Sequence, residues 1–215
     1  MTSDVELVLF DIGGVLGSNG WDREQRAAAT ARFGLDVEDF QYRHEETIGD
    51  LESGRITLDE YLDVTVFCAG RSFTREEFKQ FMFAQSEPWP ESIAVARDLA
   101  GTGRVRLATL NNESEELNEY RIERFGLRGV FPTFFTSCWL GARKPMHLVY
   151  ARVLGMTQAD PKRTVFIDDR MQNLTPAAAV GMRTIQFRDA SQLRADLHTL
   201  GLLTADSRQP TADSQ

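Results

Sequence analysis

Polar side chains that can bind cations or donate hydrogen bonds stand directly after three apolar runs of this sequence. They are Asp11, Asn111, Asn112, Asp168 and Asp169. An acid at the end of a buried strand is costly unless it is paired, metal-bound or facing solvent. Ligands bind at the carboxyl ends of strands in an open parallel sheet. Together with the ammonium of Lys144, these side chains therefore predict a site for a divalent cation and a phosphate.

The segments that must position these side chains alternate between strand and helix patterns. Short runs rich in β-branched and aromatic residues predict strands near 5–10, 104–110, 133–137, 164–168 and 183–187. Helix patterns with glycine or proline boundaries separate the last four of them. Such alternation predicts an α/β fold, in which right-handed crossovers build a parallel sheet covered by helices on both faces.

The region at 17–86 has a different pattern, in which helices follow one another without a strand. The predicted helices cover 22–33, 36–48, 57–69 and a stretch that begins at Thr74. A turn is predicted at 49–55. We therefore predict a core domain made of 1–16 and 87–203, with an inserted all-helical cap domain at 17–86 that lies over the strand ends. The polar stretch at 204–215 is predicted to be a disordered tail.

The bulk composition is that of a globular protein. The 215 residues suffice for one full core and a small insertion, and 42% of them are apolar. The net charge is −8 and no dense basic run occurs, so nucleic acid is not an expected partner. No signal-peptide pattern and no membrane-spanning apolar stretch is found, which predicts a cytoplasmic protein without a membrane partner.

The cysteines and histidines predict neither a disulfide nor a zinc site. Cys68 and Cys138 stand in apolar surroundings and are expected to be free, buried thiols. The three histidines share no metal-ligand spacing. The expected chemistry therefore rests on carboxylates, amides and the lysine.

Four short motifs occur in order along the chain. They are FDIGGVL from Phe10, LNN from Leu110, KP from Lys144, and FIDD from Phe166 followed by Asn173. In this order and with these gaps they resemble the motifs of the haloacid dehalogenase superfamily. The resemblance covers almost the whole chain. It implies a three-layer Rossmann-like core, a helical cap of the C1 type and a hydrolase of the phosphatase-like branch.

The resemblance assigns Asp11 as the nucleophile, whose carboxylate forms an aspartyl-phosphate that water then hydrolyses. It implies Mg²⁺ as cofactor, held by Asp11, the backbone carbonyl of Gly13 and Asp168. Asp169 is either a second ligand or the group that orients a metal-bound water, with a helix N-cap as the alternative. Asn173 either supports the loop that carries these acids or is a solvated polar residue.

The resemblance also assigns phosphate-binding residues. Lys144 is expected to neutralise the charges of Asp11 and of the phosphate. Asn111 stands where the family normally has Ser or Thr, and the amides of Asn111 and Asn112 are the expected donors to the phosphate. Arg143, directly before the lysine, is expected to be solvated.

Gly13 departs from the family pattern, because most phosphatases of the family carry a second Asp two residues after the nucleophile. That Asp protonates the leaving group and activates water, a contribution commonly of roughly 10²–10⁴-fold. Its loss predicts a slow enzyme, a different proton relay or no hydrolysis. His44 and Glu45 of the predicted cap are candidate replacements, although nothing in the sequence positions them.

Three functions are compatible with these residues. The first is a Mg²⁺-dependent phosphatase, monomer or homodimer, whose cap closes over a small phosphorylated metabolite such as a sugar phosphate. The second is a 2-haloacid dehalogenase; these relatives also lack the second Asp and need no metal, but their fourth motif usually lacks tandem acids. The third is a catalytically impaired binding protein of the same fold. The tandem acids Asp168 and Asp169 favour the phosphatase.

Overall fold

A computed structural model of the chain describes residues 4–204, which form five β-strands and ten α-helices. The strands are β1 (Leu7–Phe10), β2 (Arg106–Asn111), β3 (Thr133–Thr136), β4 (Thr164–Asp168) and β5 (Arg183–Gln186). All pairings are parallel, and the order across the sheet is β3-β2-β1-β4-β5. The predicted α/β fold with a parallel sheet, including the strand that precedes the helical block, is confirmed.

The register of the central strands brings their carboxyl ends to one edge. Phe10 of β1 pairs with Thr109 of β2 on one side and with Ile167 of β4 on the other. The amide of Asp11 then donates to the carbonyl of Ile167 over 2.9 Å. Asp11 and Asp168, which directly follow Phe10 and Ile167, therefore lie side by side, with Asn111 two residues beyond Thr109 at the same edge, as the sequence predicts.

Helices cover both faces of the sheet. They are α5 (Pro90–Gly101), α6 (Glu115–Arg124), α7 (Ser137–Leu140), α8 (His147–Thr157), α9 (Met171–Ala179) and α10 (Ala190–Thr199). Alternation along β1 sends Val8 and Phe10 into one apolar cluster with α5 and α10. Leu7 and Leu9 enter a second cluster with α8 and α9. Both faces of β1 are therefore buried, which explains why its sequence is a continuous apolar run.

A second group of helices is inserted between β1 and α5. They are α1 (Arg23–Phe33), α2 (Val37–Glu52), α3 (Leu58–Thr65) and α4 (Arg75–Ala84). They share a third apolar cluster, which includes Trp21, Phe40, Tyr61 and Phe78. This group is the helical cap, and we retain 17–86 as its proposed extent.

The two chain segments that connect the cap to the core run side by side. The amide of Ser18 donates to the carbonyl of Glu87 over 2.8 Å, and the amide of Trp89 donates to the carbonyl of Leu16 over 2.9 Å. The Ser18 hydroxyl bonds in addition to the carbonyl of Gln85 over 2.8 Å. The cap is thus joined to the core by a hydrogen-bonded pair of strand-like linkers.

Two local predictions are wrong. Helix α2 continues through Gly49 to Glu52, because one glycine costs only about 1 kcal/mol in a helix and does not end it. The turn comes later, at Gly54, whose φ is +67°. The cysteines are free, but Cys68 is exposed and Cys138 half-buried, since neither lies on a core-facing position.

Other expectations concern the ends of the chain and the membrane. The predicted disordered tail falls, apart from Thr204, at 205–215, outside the described residues. Within 4–204 no helix combines the length and the apolar character that crossing a membrane requires.

Candidate active site

Asp11 lies at the carboxyl end of β1, where the strand leaves the sheet. Its Oδ1 accepts a hydrogen bond from the amide of Ile12 over 2.8 Å, and its Oδ2 lies 2.8 Å from Nζ of Lys144. The side chain is 10% exposed, so one edge of the carboxylate still reaches the cavity described below. A buried acid with one exposed edge and a cationic partner is suited to react with a ligand rather than only to cap a strand.

Lys144 joins the two central acids of the site. Its Nζ lies 2.7 Å from Oδ2 of Asp168 and 2.8 Å from Oδ2 of Asp11, and its side chain is 2% exposed. Asn112 fixes the lysine backbone from both sides: its Oδ1 accepts from the Lys144 amide over 2.8 Å, and its Nδ2 donates to the Lys144 carbonyl over 2.8 Å. Asn112 therefore positions the lysine from the neighbouring strand end.

Asp168, the last residue of β4, is fully buried and heavily hydrogen-bonded. Asn173 donates from Nδ2 to both carboxylate oxygens over 3.0 Å, and the amide of Arg170 donates to Oδ1 over 2.8 Å. The carbonyl of Asn173 accepts in turn from the Tyr150 hydroxyl over 2.7 Å. Asn173 is thus the residue that orients Asp168, and the alternative of a solvated polar residue is wrong.

The three acids have different pKa values because their surroundings differ. Burial is the main cause that raises the pKa of Asp11 to about 7, against the opposing charge of Lys144. Burial also acts on Asp168, but Lys144, Arg170 and Asn173 outweigh it and hold the pKa of Asp168 below its usual range. For Asp169, burial and the neighbouring Asp168 carboxylate raise the pKa.

The lysine responds in the opposite sense to burial. Burial alone would lower the pKa of Lys144, but the adjacent carboxylates of Asp11 and Asp168 outweigh that effect and the net shift is upward. Lys144 is therefore a stable ammonium, suited to hold negative charge and not to accept a proton.

The acids also form a set that fits a divalent cation. Asp11, Asp168 and Asp169 each place a carboxylate oxygen within 4.8 Å of the others. Oδ1 of Asp169 is buried and has no hydrogen-bond partner among residues 4–204. A buried carboxylate oxygen normally accepts a hydrogen bond, so an oxygen without a donor fits a position that a bound cation would satisfy. The N-cap alternative for Asp169 is wrong, because Arg170 occupies that position of α9.

Asn111 does not lie where its predicted role requires. Its side chain is 2% exposed, its Nδ2 donates to Oδ1 of Asn118 over 3.0 Å, and its Oδ1 accepts from the Thr136 hydroxyl over 3.3 Å. The carboxamide is thus turned into the interior towards α6, away from the cavity. The expectation that its amide donates to a phosphate is corrected to a structural role, and of the two asparagines only Asn112 lines the cavity.

The side chain missing at Gly13 faces an arginine. A Cβ at Gly13 would lie 3.2 Å from Oδ1 of Asn19 and 3.7 Å from Nη1 of Arg121. Arg121 is 2% exposed and pairs with Oε2 of Glu113 over 3.2 Å, and its Nη2 donates to the carbonyl of Ser18. Burial raises the pKa of Glu113 to about 7. Among residues 4–204, the heavy atoms nearest to the Cβ position of Gly13 belong to Asn19 and Arg121 and not to a carboxylate.

A cavity of about 410 Å³ lies between the core and the cap. This volume is within the range of about 300–1,000 Å³ of small-molecule sites. From the core it is lined by Asp11, Gly13, Asn112, Lys144 and further residues, and from the cap by Trp21, Arg26, His44, Ile48 and Glu52. Five basic side chains line it, Lys144 and the arginines at 26, 121, 143 and 170, together with the acids Asp11, Asp22 and Glu52.

Two ion pairs connect the cap to the core at the rim of this cavity. Nη2 of Arg170 lies 2.6 Å from Oδ2 of Asp22, the N-cap residue of α1. Nη1 of Arg143 lies 2.7 Å from Oε2 of Glu52 in α2. The expectation that Arg143 is simply solvated is therefore wrong: its guanidinium holds a cap helix.

Sequence reasoning missed the arginines of the cavity. Arg26 and Arg121 lie inside helices, where a basic residue is usually a solvated one. A usable signal existed for Arg121, which follows the apolar Leu117 by four residues and precedes Phe125 by four, so that it shares the buried face of α6. For Arg26 no comparable pattern is present.

Comparison with known proteins agrees with this geometry. The family described as haloacid dehalogenase-like hydrolase matches residues 5–181. D-ribitol-5-phosphate phosphatase of Bacteroides thetaiotaomicron is 21% identical over 222 residues, which cover 90% of this chain and 97% of that protein. Flavin mononucleotide hydrolase 1, chloroplatic, of Arabidopsis thaliana is 40% identical over 68 residues, 32% of this chain. That match spans only 28% of the Arabidopsis protein.

Solved structures share the fold. A HAD family enzyme from Bacteroides thetaiotaomicron, in complex with magnesium and inorganic phosphate, has a TM-score of 0.72 at 22% identity, covering 88% of this chain and 98% of its own. The defluorinating L-2-haloacid dehalogenase has a TM-score of 0.61 at 20% identity, with coverage of 88% and 90%. At these identities the likeness shows the fold alone. Because the family match extends over residues 5–181, the chain belongs to the haloacid dehalogenase-like hydrolases.

Proposed function

We propose that this hydrolase is a Mg²⁺-dependent phosphatase that acts on a small phosphorylated metabolite through an aspartyl-phosphate on Asp11. One observation carries the proposal. Nζ of Lys144 lies within 2.8 Å of both Asp11 and Asp168, and Asp169, which has an unpartnered carboxylate oxygen, places a ligand atom within 4.8 Å of these two acids. This set combines a carboxylate nucleophile, a fixed positive charge and a cation site at one strand edge.

The tandem acids are the proposed metal ligands. Asp11, Asp168 and Asp169, with the backbone carbonyl of Gly13, would hold the ion. Bound there, Mg²⁺ would supply positive charge to the phosphate oxygens. Asn173 and the amide of Arg170 keep Asp168 ionised and in place, while Asn112 keeps Lys144 beside the nucleophile.

The proposed reaction proceeds in two displacements. An oxygen of the Asp11 carboxylate attacks phosphorus, a bond forms between them, and the bond from phosphorus to the ester oxygen breaks with its electron pair on the leaving oxygen. Water then attacks the same phosphorus, the bond to Asp11 breaks, and the carboxylate is restored. Inorganic phosphate leaves, and the proton of the attacking water passes to solvent. Lys144 holds the charge on the phosphoryl oxygens in both steps.

The protonation of the leaving oxygen is the weak step, because Gly13 offers no acid. Arg121 is the charged group nearest to that position, and an arginine does not give up its proton. The leaving group must therefore leave as an anion or take its proton from water. We infer that substrates with acidic leaving groups react fastest, and that alkyl phosphates react slowly.

The substrate class is supported by the relatives. One relative that aligns over nearly its whole length is named for D-ribitol 5-phosphate. A sugar or polyol phosphate is compatible with the cavity of about 410 Å³ between core and cap. A small phosphorylated metabolite of this size is accordingly the proposed substrate.

A 2-haloacid dehalogenase remains the second candidate, because that branch also lacks the second Asp, which Gly13 replaces here. In it the Asp11 carboxylate would attack carbon, and halide would leave without a metal. The orphaned oxygen of Asp169 argues for the phosphatase, since dehalogenation gives this acid no partner.

Hydrolysis of 4-nitrophenyl phosphate tests the proposal, because its phenolate leaving group needs little protonation. We expect turnover with Mg²⁺, none with excess chelator, and none in the Asp11→Asn variant. Asp63→Asn, a change of the same kind at an exposed residue of α3, should keep the full rate. Chelator-resistant release of halide from a 2-haloacid, lost in Asp11→Asn, would instead establish the dehalogenase. Absence of both activities would contradict both.

A further inference from the structure

Arg26 of α1 is a buried arginine that lines the cavity from the cap side. Only 9% of the surface of Arg26 is exposed to solvent. Nη1 donates to the carbonyl of Trp21 over 2.8 Å, and Nε donates to Oε1 of Gln41 over 3.3 Å. These two neutral acceptors fix the guanidinium in place without neutralising it. Nη2 has no protein acceptor within residues 4–204.

The other arginines of the cavity are neutralised. Arg121 pairs with a carboxylate at 3.2 Å, Arg143 at 2.7 Å and Arg170 at 2.6 Å. In the described part of the chain no carboxylate oxygen lies within 4.0 Å of the Arg26 guanidinium. Removing a charge from water without a partner is costly, and burial lowers the pKa of Arg26 accordingly.

The acids nearest to Arg26 are each bound to another residue. Asp22 pairs with Arg170, and Glu52 pairs with Arg143. Glu45 accepts from Nε2 of Gln41 over 2.8 Å. These carboxylates influence Arg26 only from beyond ion-pair distance. The positive charge of Arg26 is therefore the one in the described cavity wall that still lacks a counter-ion.

His44 adds a second unused donor beside Arg26. The indole N–H of Trp21 donates to the Tyr61 hydroxyl oxygen over 3.1 Å. The Tyr61 proton is then free to go to Nδ1 of His44, which lies 2.8 Å away. Burial and Arg26 lower the pKa of His44 to about 4, so the ring is neutral and carries its proton on Nε2. That N–H has no acceptor among residues 4–204, and His44 lines the cavity.

We propose that Arg26 and His44 form a subsite for a second anionic group of the substrate, a carboxylate or a further phosphate. This inference rests on the proposed function, in which the reacting phosphate binds at Asp11 on the core side of the same cavity. Guanidinium presents parallel N–H groups that match the two oxygens of either anion. Within the small phosphorylated metabolites proposed above, this favours phosphorylated acids or bisphosphates. A neutral polyol phosphate, the kind for which one relative is named, should then be a poorer substrate of this chain.

Binding of non-hydrolysable phosphonates tests the subsite without requiring turnover. The probes are ω-carboxyalkylphosphonates with one to three methylenes, each compared with its carboxamide, and the alkane bisphosphonates of the same lengths. Calorimetry in the presence of Mg²⁺ gives the dissociation constants. For at least one chain length we expect the carboxyalkylphosphonate to bind about tenfold more tightly than its carboxamide. If the carboxylate series shows the greater increase in affinity, the second anionic group is a carboxylate. If the bisphosphonate series shows it, that group is a phosphate.

Matched variants assign the preference to Arg26. In Arg26→Gln the carboxyalkylphosphonate and its carboxamide should bind equally. Arg23→Gln removes the same charge from an exposed position of the same helix and should keep the preference for the carboxylate. Arg26→Lys should keep part of it, and serves if Arg26→Gln does not fold by circular dichroism. Equal binding of carboxylate and carboxamide at every length in the unmodified protein, or an unchanged preference in Arg26→Gln and Arg26→Lys, would overturn the proposal.

The subsite and the proposed phosphatase can fail separately. Methylphosphonate carries no second anionic group, so the preference for carboxylate over carboxamide, and not the affinity for methylphosphonate, reports the subsite. A preserved carboxylate preference without hydrolysis of 4-nitrophenyl phosphate would leave the subsite standing and remove the phosphatase. Hydrolysis without any preference would do the reverse.

Discussion

The carboxylate of Asp169 occupies the space in which a side chain at Gly14 would begin. A Cβ at Gly14 would lie 2.5 Å from Cγ and 2.5 Å from Oδ2 of Asp169, and the φ of Gly14 is +72°. The glycine that follows β1 thus makes room for an acid that follows β4. The motif around the nucleophile and the tandem acids are linked by this contact.

The first prediction concerns Gly14→Ala. We expect a loss of about 1–2 kcal/mol from the left-handed backbone, and a roughly tenfold or larger loss of Mg²⁺ affinity because Asp169 is displaced. Urea unfolding and the Mg²⁺ dependence of turnover measure the two effects. Gly103→Ala is the matched control, since its φ is +60° and nothing lies within 4 Å of its Cβ position. Equal Mg²⁺ affinity in both variants would refute the contact's role.

Lys144→Met removes the ammonium from between Asp11 and Asp168. Two buried carboxylates then face each other, so we expect the metal-free protein to lose about 3 kcal/mol of unfolding free energy. Turnover should fall by roughly 100-fold or more, because the charge on the phosphate is no longer balanced. Added Mg²⁺ should restore part of the stability, and the gain should be larger than in Lys162→Met, an exposed change of the same kind in which Lys144 already neutralises the two acids. Unchanged turnover would contradict the assignment.

Much of this arrangement could be predicted from strand ends. Apolar runs that stop at an acid place Asp11 and Asp168 correctly, because parallel strands of similar length end at one edge. Asn111 could not be placed in the same way. The backbone position is the expected one, but the side chain turns towards Asn118, and a sequence does not reveal which of two buried partners a carboxamide will choose.

Residues that reach the site from helices were beyond sequence reasoning for another reason. Arg26 enters the cavity only because the cap folds back over the strand ends, a tertiary relation with no local signature, whereas Arg121 lies on the buried face of the core helix α6. The cap itself was recognisable from successive helix patterns, including the capping box of Thr57 and Glu60, which the structure confirms. Sequence patterns predict the individual helices and strands, whereas tertiary packing determines which of their faces come into contact.

Gly13→Asp restores the missing acid and tests the proposed weak step. A Cβ there requires Asn19 to give way by a few tenths of an ångström, which a flexible carboxamide allows. Arg121 would lie beside the new carboxyl and lower its pKa, so the gain should stay near the low end of the roughly 10²–10⁴-fold range for general acids. We expect faster hydrolysis of alkyl phosphates with little change for 4-nitrophenyl phosphate.

The dependence of rate on leaving-group pKa provides the measurement for Gly13→Asp. Across a series of aryl and alkyl phosphates, the rate should fall steeply with leaving-group pKa in the unmodified protein and less steeply in the variant. Gly13→Asn, which has the same shape without an acid, should keep the steep dependence. If the rate of Gly13→Asp falls with leaving-group pKa as steeply as that of the unmodified protein, protonation of the leaving group does not limit this enzyme.

The last prediction is that His44 makes the fold sensitive to acid. Its pKa is lowered to about 4 by burial and by Arg26, with Asp22 opposing, against about 6.5 in an unfolded chain. Between these values His44 binds more protons in the unfolded chain than in the fold, so its contribution to the unfolding free energy falls as pH drops from 6.5 towards 4, by up to about 3 kcal/mol. Urea unfolding at several pH values measures the loss, which should be smaller in His44→Asn and unchanged in His198→Asn, an exposed histidine. Asp11, Asp169 and Glu113 act in the opposite sense, because their raised pKa values favour the fold at low pH, but they contribute equally to all three proteins, so the difference between the profiles reports His44. Identical pH profiles for the unmodified protein and His44→Asn would mean that His44 is protonated as easily in the fold as outside it.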